Sequence, residues 1–183
     1  MHHEVMHFIY ETKMLVPNYF EDVRVLEIGS GNGFPSPRAH FKNGYGENYI
    51  GVDISDGKWV DWVGKGHEFK SDRLFTTVLS CECFEHDPYW EKTIQNMIDH
   101  LEYNGLLMFT CASTNRPEHG TLKSNPEASP DTVKIEGWAD YYKNLTEQEI
   151  KSKIPAFTDG TMDGSYWVSN EASKDLYYRG WKR

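Results

Sequence analysis

Residues 25–33 read Val-Leu-Glu-Ile-Gly-Ser-Gly-Asn-Gly: four residues suited to a buried strand, then glycines at alternate positions. No other stretch constrains the fold as much. A glycine-rich turn at the end of a parallel strand lets a ligand approach bare backbone, because no Cβ stands in the way. Residues 49–53, Tyr-Ile-Gly-Val-Asp, read as a second strand ending in a carboxylate. That carboxylate falls about twenty residues past the turn, where a nucleotide ribose would present its hydroxyls. The opening unit is therefore expected to be a nucleoside-binding βαβ.

Two kinds of nucleoside ligand use this plan. A dinucleotide turn has the spacing Gly-x-Gly-x-x-Gly, whose third glycine lets a helix pack close to the strand beneath the pyrophosphate. Here the spacing is Gly29-x-Gly31-x-Gly33, and Glu27 precedes it. A carboxylate at Glu27 would oppose a pyrophosphate but could help hold an ammonium group. The pattern resembles motif I of the class I S-adenosylmethionine (SAM)-dependent methyltransferases, acidic-apolar-Gly-x-Gly-x-Gly, and Asp53 strengthens the resemblance.

The rest of the chain supplies the elements of an α/β fold. Residues 4–15 place Val5, Phe8, Ile9 and Met14 at helical spacing, and Pro17-Asn18 ends the helix. Strands are expected at 24–28, 49–53, 60–63, 74–81 and 106–111. Their apolar and β-branched runs, clearest in Leu74–Cys81, suit strands covered on both faces. Pro37 is compatible with the first turn of a short helix. Asp87-Pro88 reads as an N-cap and first helical residue, followed by an inward stripe of Trp90, Ile94, Met97, Ile98 and Leu101. Thr146-x-x-Glu149 is a capping box for a helix over 147–154. Residues 166–169 and 175–179 flank a turn and read as a hairpin. The prediction is a doubly wound, mostly parallel sheet with a C-terminal antiparallel hairpin, in one domain spanning 1–183.

Composition narrows the partners. The formal net charge is −9, which argues against a broad nucleic-acid-binding face, and aromatic residues make up 14% of the chain. The core should lean on those rings. Cys81, Cys83 and Cys111 form no Cys-x-x-Cys pair and read as buried thiols of a reducing compartment. No long apolar run or leader is visible, so a soluble cytoplasmic protein without membrane contact is expected. Histidines at 2, 3 and 7 could suggest metal binding, but scattered N-terminal histidines usually carry none, and no metal is assigned.

The resemblance covers residues 23–111 and, loosely, the terminal hairpin. Val78-Leu79-Ser80-Cys81-Glu82-Cys83-Phe84-Glu85-His86 is similar to the segment at the family's fourth strand, and Asn104–Phe109 to the turn and strand after it. It implies that Gly29, Ser30, Gly31 and Asn32 border the methionine part of SAM, with Glu27 helping to hold it. It further implies that Asp53 takes the ribose, that Ile54 flanks the adenine with Gly66, His67 and Glu68 beside it, and that Cys81 and Glu82 lie near the methionine part. Many members carry an acidic residue near the end of strand 3, where this chain has Lys65-Gly66. The product would be S-adenosylhomocysteine (SAH).

Methyl transfer from a sulfonium asks mainly for alignment of the acceptor, with a base where the acceptor is a hydroxyl. Candidate bases are His86, His119, Tyr141 and Tyr142. Residues 112–145, rich in Pro, Gly, Ser, Asn and Thr, are expected to form an acceptor lid. The acceptor itself is expected to be a small molecule, sugar-like or a glycan precursor. Two other functions fit the same turn: an NAD-dependent oxidoreductase, and a SAM-binding subunit without chemistry.

Overall fold

The structure is a computed structural model that describes residues 2–31 and 36–183. Seven strands form one sheet in the order β3-β2-β1-β4-β5-β7-β6. They are β1 (Val25–Ile28), β2 (Tyr49–Asp53), β3 (Trp62–Val63), β4 (Phe75–Cys81), β5 (Leu101–Ala112), β6 (Met162–Asn170) and β7 (Asp175–Lys182). β1 to β5 pair in parallel, while β7 lies antiparallel between β5 and β6. The predicted fold class and closing hairpin are therefore present.

Alternation along the central strands sorts side chains onto two faces. Leu26, Ile28, Val52 and Val78 face the layer that holds helix α2 (Trp90–Asp99) and α3 (Glu147–Lys153). Val25, Tyr49 and Leu79 face helix α1 (His3–Leu15) through Val5, Phe8 and Ile9. Rings fill the space over β5 to β7: Phe109 stacks on Tyr178 at 4.8 Å, and Phe157 packs edge-on to both Trp167 and Tyr178.

Several boundaries depart from the sequence reading. Among its described residues the crossover from β1 to β2 holds no α-helix, only a 3-10 turn, Pro37–His40, capped by Ser36 Oγ accepting from Arg38 N. Gly44 and Gly46 turn the chain back before it can extend. The crossovers on either side of β3 also lack an α-helix, with only the 3-10 turn Gly66–Glu68 before β4. β3 itself is Trp62–Val63 rather than 60–63, because Val60 closes a turn onto Gly57.

Asp87 is not the cap of α2. Its carboxylate accepts from Tyr89 N and Thr93 Oγ1, which orders a turn that delays the helix to Trp90. Leu101 belongs to β5, which passes through Asn104-Gly105 as a bulge. Leu101 pairs with Phe75 but Leu106 with Thr77, and Asn104 has φ +61°. At α3 only half the capping box forms: Thr146 Oγ1 accepts from Glu149 N, while the Glu149 carboxylate pairs with Lys143. Among the described residues no helix is long and apolar enough to cross a membrane.

Candidate functional site

The glycine turn leaves the sheet where β1 lies between β2 and β4. Gly29 N and Ser30 N both donate to Val52 O, at 2.8 and 3.1 Å, so the turn is tied to β2. Gly29 and Gly31 have φ of +80° and +48°. These conformations cost other residues free energy and glycine little. The turn then brings Gly31 N to 2.8 Å from the Asp53 carboxylate at the end of β2. Burial pushes the Asp53 carboxyl above its ordinary range, opposed by the backbone N–H groups of Gly31, Ile54 and Ser55.

Above these strand ends lies a cavity of about 340 Å³, walled by Gly29 and Gly31, by Asp53 and Ile54, and by Gly64 and Gly66 after β3. Glu82, Cys83, His86 and Asp87 close it from the end of β4, and residues 128–132 with Trp138 cover it. Both its size and its mixture of apolar wall with a few polar groups suit a small organic ligand. Glu82 leaves β4 with φ +53°, an unusual conformation for a side chain-bearing residue. Its carboxylate is held by Thr110 Oγ1 at 2.8 Å and His2 Nε2 at 3.1 Å.

A second, wider cavity of about 820 Å³ adjoins the first. The two share Glu82, His86, Ala128 and Ser129 as a common wall. Around the second cavity stand His2, residues 116–119 and residues 172–174 at the β6–β7 turn. The ring of His86 lies edge-on to His119 at 5.1 Å, and Tyr142 packs against both, at 5.6 and 5.0 Å. Burial, with the nearby charge of His119, pulls His86 down to about 4, so its ring is neutral at physiological pH. Burial raises the hydroxyl of Tyr142, which has no hydrogen-bond partner.

The profile of the methyltransferase domain family matches residues 2–146. The chain belongs to that family. The methyltransferase has no match among curated protein sequences. Its fold is similar to that of the Burkholderia thailandensis 1,6-didemethyltoxoflavin-N1-methyltransferase, solved with its acceptor and SAH bound. There the TM-score is 0.62 and identity 16%, over 97% of this chain and 77% of the other. Magnesium protoporphyrin IX methyltransferase from Synechocystis PCC 6803, solved with SAM, gives 0.58 at 10% identity over 97% and 79%. The N-methyltransferase NodS of Bradyrhizobium japonicum WM9, solved with SAH, gives 0.53 at 14% over 94% and 86%.

The methyltransferase's first cavity fits S-adenosylmethionine on its own geometry. Bare glycine backbone lines one wall, a carboxylate stands at the end of β2, and the volume suits a nucleoside-sized ligand. Of the residues expected from sequence to hold the cofactor, Gly29, Gly31, Asp53, Ile54, Gly66 and Glu82 line this cavity. Asn32 lies outside the described residues. Ser30, Cys81, His67 and Glu68 are not on the wall. Ser30 and Cys81 are buried away from it, His67 packs at a tilt against Tyr89 at 4.5 Å, and Glu68 is exposed beside Lys65.

Glu27 does not line the cavity either. β1 alternates, so Ile28 faces the cavity side while Glu27 points under the sheet to Tyr49, whose hydroxyl donates to it at 2.8 Å. Its other oxygen has no partner, and burial pushes the carboxyl up to about 8. In the cofactor-free chain Glu27 is thus mainly protonated at neutral pH, not the carboxylate expected from sequence.

The folded value for Glu27 lies above the ordinary 4.5. Its favourable contribution is therefore fully present below the unfolded value and is lost as pH rises through about 8. Glu27→Gln, which cannot ionise, should raise the melting temperature more at pH 9 than at pH 5. An equal effect at both pH values would contradict this assignment.

Residues 128–132, Trp138, Cys83 and Asp87 belong to the cavity but were not assigned to the cofactor from sequence. Cys83 stands past β4 rather than within a strand, and a Cβ on Gly29 would meet its Cβ at 2.8 Å. That tight fit leaves no room for a side chain at Gly29.

Proposed function

We propose that this methyltransferase moves a methyl group from SAM to a small-molecule or sugar-like acceptor held in the second cavity. The carrying observation is the wall that both cavities share at Glu82, His86, Ala128 and Ser129. When bound, SAM supplies a methyl group already activated by its sulfonium. The chain's part is to bind, orient and exclude water. Asp53 accepts from the ribose hydroxyls, and the backbone at Gly29 and Gly31 admits the methionine part. The acceptors named for the similar structures, a didemethyltoxoflavin and magnesium protoporphyrin IX, are small organic molecules and support the substrate class.

Residues 112–145 act as the acceptor lid. The segment carries only short 3-10 turns, Pro126–Ala128 and Thr132–Lys134, yet buries Thr121, Trp138 and Leu145. It covers the first cavity with residues 128–132 and lines the second with His119, so a closing motion would act on both. Hydrogen exchange across 112–145 should slow with SAH and acceptor together and much less with SAH alone. His119→Ala should leave SAH affinity unchanged and lower methyl transfer at least about a hundredfold, the lower end of the range for loss of a group acting on the acceptor's proton. Normal transfer by His119→Ala would remove that residue from the site, and exchange indifferent to the acceptor would remove the lid.

A further inference from the structure

Among the described residues, two groups of side chains bring three or more metal-ligating atoms close together. One is His2, Glu82 and Asp175. It is already ion-paired within the chain: His2 Nε2 lies 3.1 Å from Glu82 and 2.9 Å from Asp175, and Arg116 stands 3.3 Å from the other Asp175 oxygen. The other is Glu85, His86 and His119, each offering one atom within 4.8 Å of the rest. Among the described residues no Lys or Arg forms an ion pair with the Glu85 carboxylate.

We propose that Glu85, His86 and His119 bind a divalent transition-metal cation at the edge of the second cavity. Three observations point there. Glu85 is fully buried, and neither carboxylate oxygen has a hydrogen-bond partner. A buried acid with nothing to pair with costs free energy that a cation would offset. His86 is 7% exposed and its Nδ1 is likewise unpartnered. His119 Nδ1 lies 3.0 Å from Pro117 O. A proton donated there leaves the lone pair on Nε2, and such a backbone anchor is the usual outer support of a metal-bound imidazole.

The local chain favours the arrangement. The 3-10 turn Phe84–His86 follows β4 and turns two consecutive side chains inward, while His119 comes from beyond β5. Gly120, with φ +66°, lets the two segments meet: a Cβ there would stand 2.6 Å from His86 Cε1. Two imidazoles and one carboxylate suit manganese, iron, cobalt or zinc better than magnesium or calcium. Three protein ligands leave positions open, and His86 and His119 both line the second cavity. This assignment rests on reading that cavity as the acceptor's. It makes His119 a cation ligand, with the cation available to hold an acceptor oxygen.

The test uses metal-stripped full-length protein titrated with manganese(II) chloride or zinc chloride alone, by calorimetry, without SAM or acceptor. One cation should bind per chain, and Glu85→Gln and His119→Ala should each weaken it at least tenfold. Glu85→Gln keeps the shape of the side chain, and His119 is only half-buried, so at least one variant should fold. SAH titrations of the same samples report the cofactor site separately, so loss of one finding is distinguishable from loss of the other. No binding at millimolar metal would overturn the proposal. So would full binding in both variants, or binding that only His2→Ala removes. Methyl transfer lost in His119→Ala at unchanged metal affinity would return that residue to the role of base.

Discussion

Gly31→Val is expected to weaken SAH binding at least about a hundredfold, equivalent to roughly 2.7 kcal/mol, while leaving the sheet folded. Gly31 has φ +48° and lines the first cavity, where its N–H meets Asp53 at 2.8 Å. A β-branched residue is strained at such a φ, by roughly 1–3 kcal/mol. Its methyl groups would also stand where backbone alone faces the ligand. If the turn shifts to relieve the strain, the Gly31–Asp53 contact is lost, so both responses reduce binding. Gly160→Val separates strain from site. Gly160 has φ +91° but no atom within 4 Å of an added Cβ and no place in the cavity. It should cost stability and leave SAH affinity unchanged. A folded Gly31→Val protein that binds SAH normally would place the cofactor elsewhere.

Asp53→Ala should lower SAH affinity at least tenfold. Hydrogen bonds to a charged acceptor contribute roughly 1.5–3 kcal/mol each. The variant loses those to the ribose hydroxyls as well as the acceptor for Gly31 N–H. The Asp53 carboxyl is held partly desolvated in the free chain, so its removal relieves a folding cost and the variant should fold. Asp53→Asn keeps one acceptor oxygen and should fall between wild type and alanine. Equal affinity in all three proteins would show that the end of β2 does not touch the ribose.

The elements that were legible in the sequence are those whose pattern is local. β2 was read as Tyr49–Asp53 and is Tyr49–Asp53, because a turn precedes it and its apolar run ends in a carboxylate. The stripe Trp90, Ile94, Met97 and Ile98 predicted the buried face of α2. The helix start was not legible, since the Asp-Pro pair that signals a cap also orders a turn, and here Asp87 reaches both Tyr89 and Thr93. β3 was overread because alternation around Trp59–Val63 continues through a turn that only the backbone bond from Val60 to Gly57 reveals.

The site was half legible for the same reason. The glycine turn and Asp53 are set by spacing along the chain. The side of the sheet that Glu27 faces is set by strand alternation, which was available but outweighed by the motif. The cover over the first cavity at 128–132, and the meeting of Glu85 and His86 with His119, depend on how a long irregular segment folds back across β4. Nothing periodic in that segment encodes its path. Gly66, after β3, lies on the cavity wall, where an added Cβ would meet Ile28 and Thr93 at 2.7 Å.

The central claim is that the cavity over the glycine turn is a SAM site and not a dinucleotide site. Calorimetric titration of the full chain with SAH and, separately, with NAD tests it most directly. Saturable binding of one SAH per chain, lost in Gly31→Val, is expected, with no heat from NAD. Saturable NAD binding with none for SAH would contradict it.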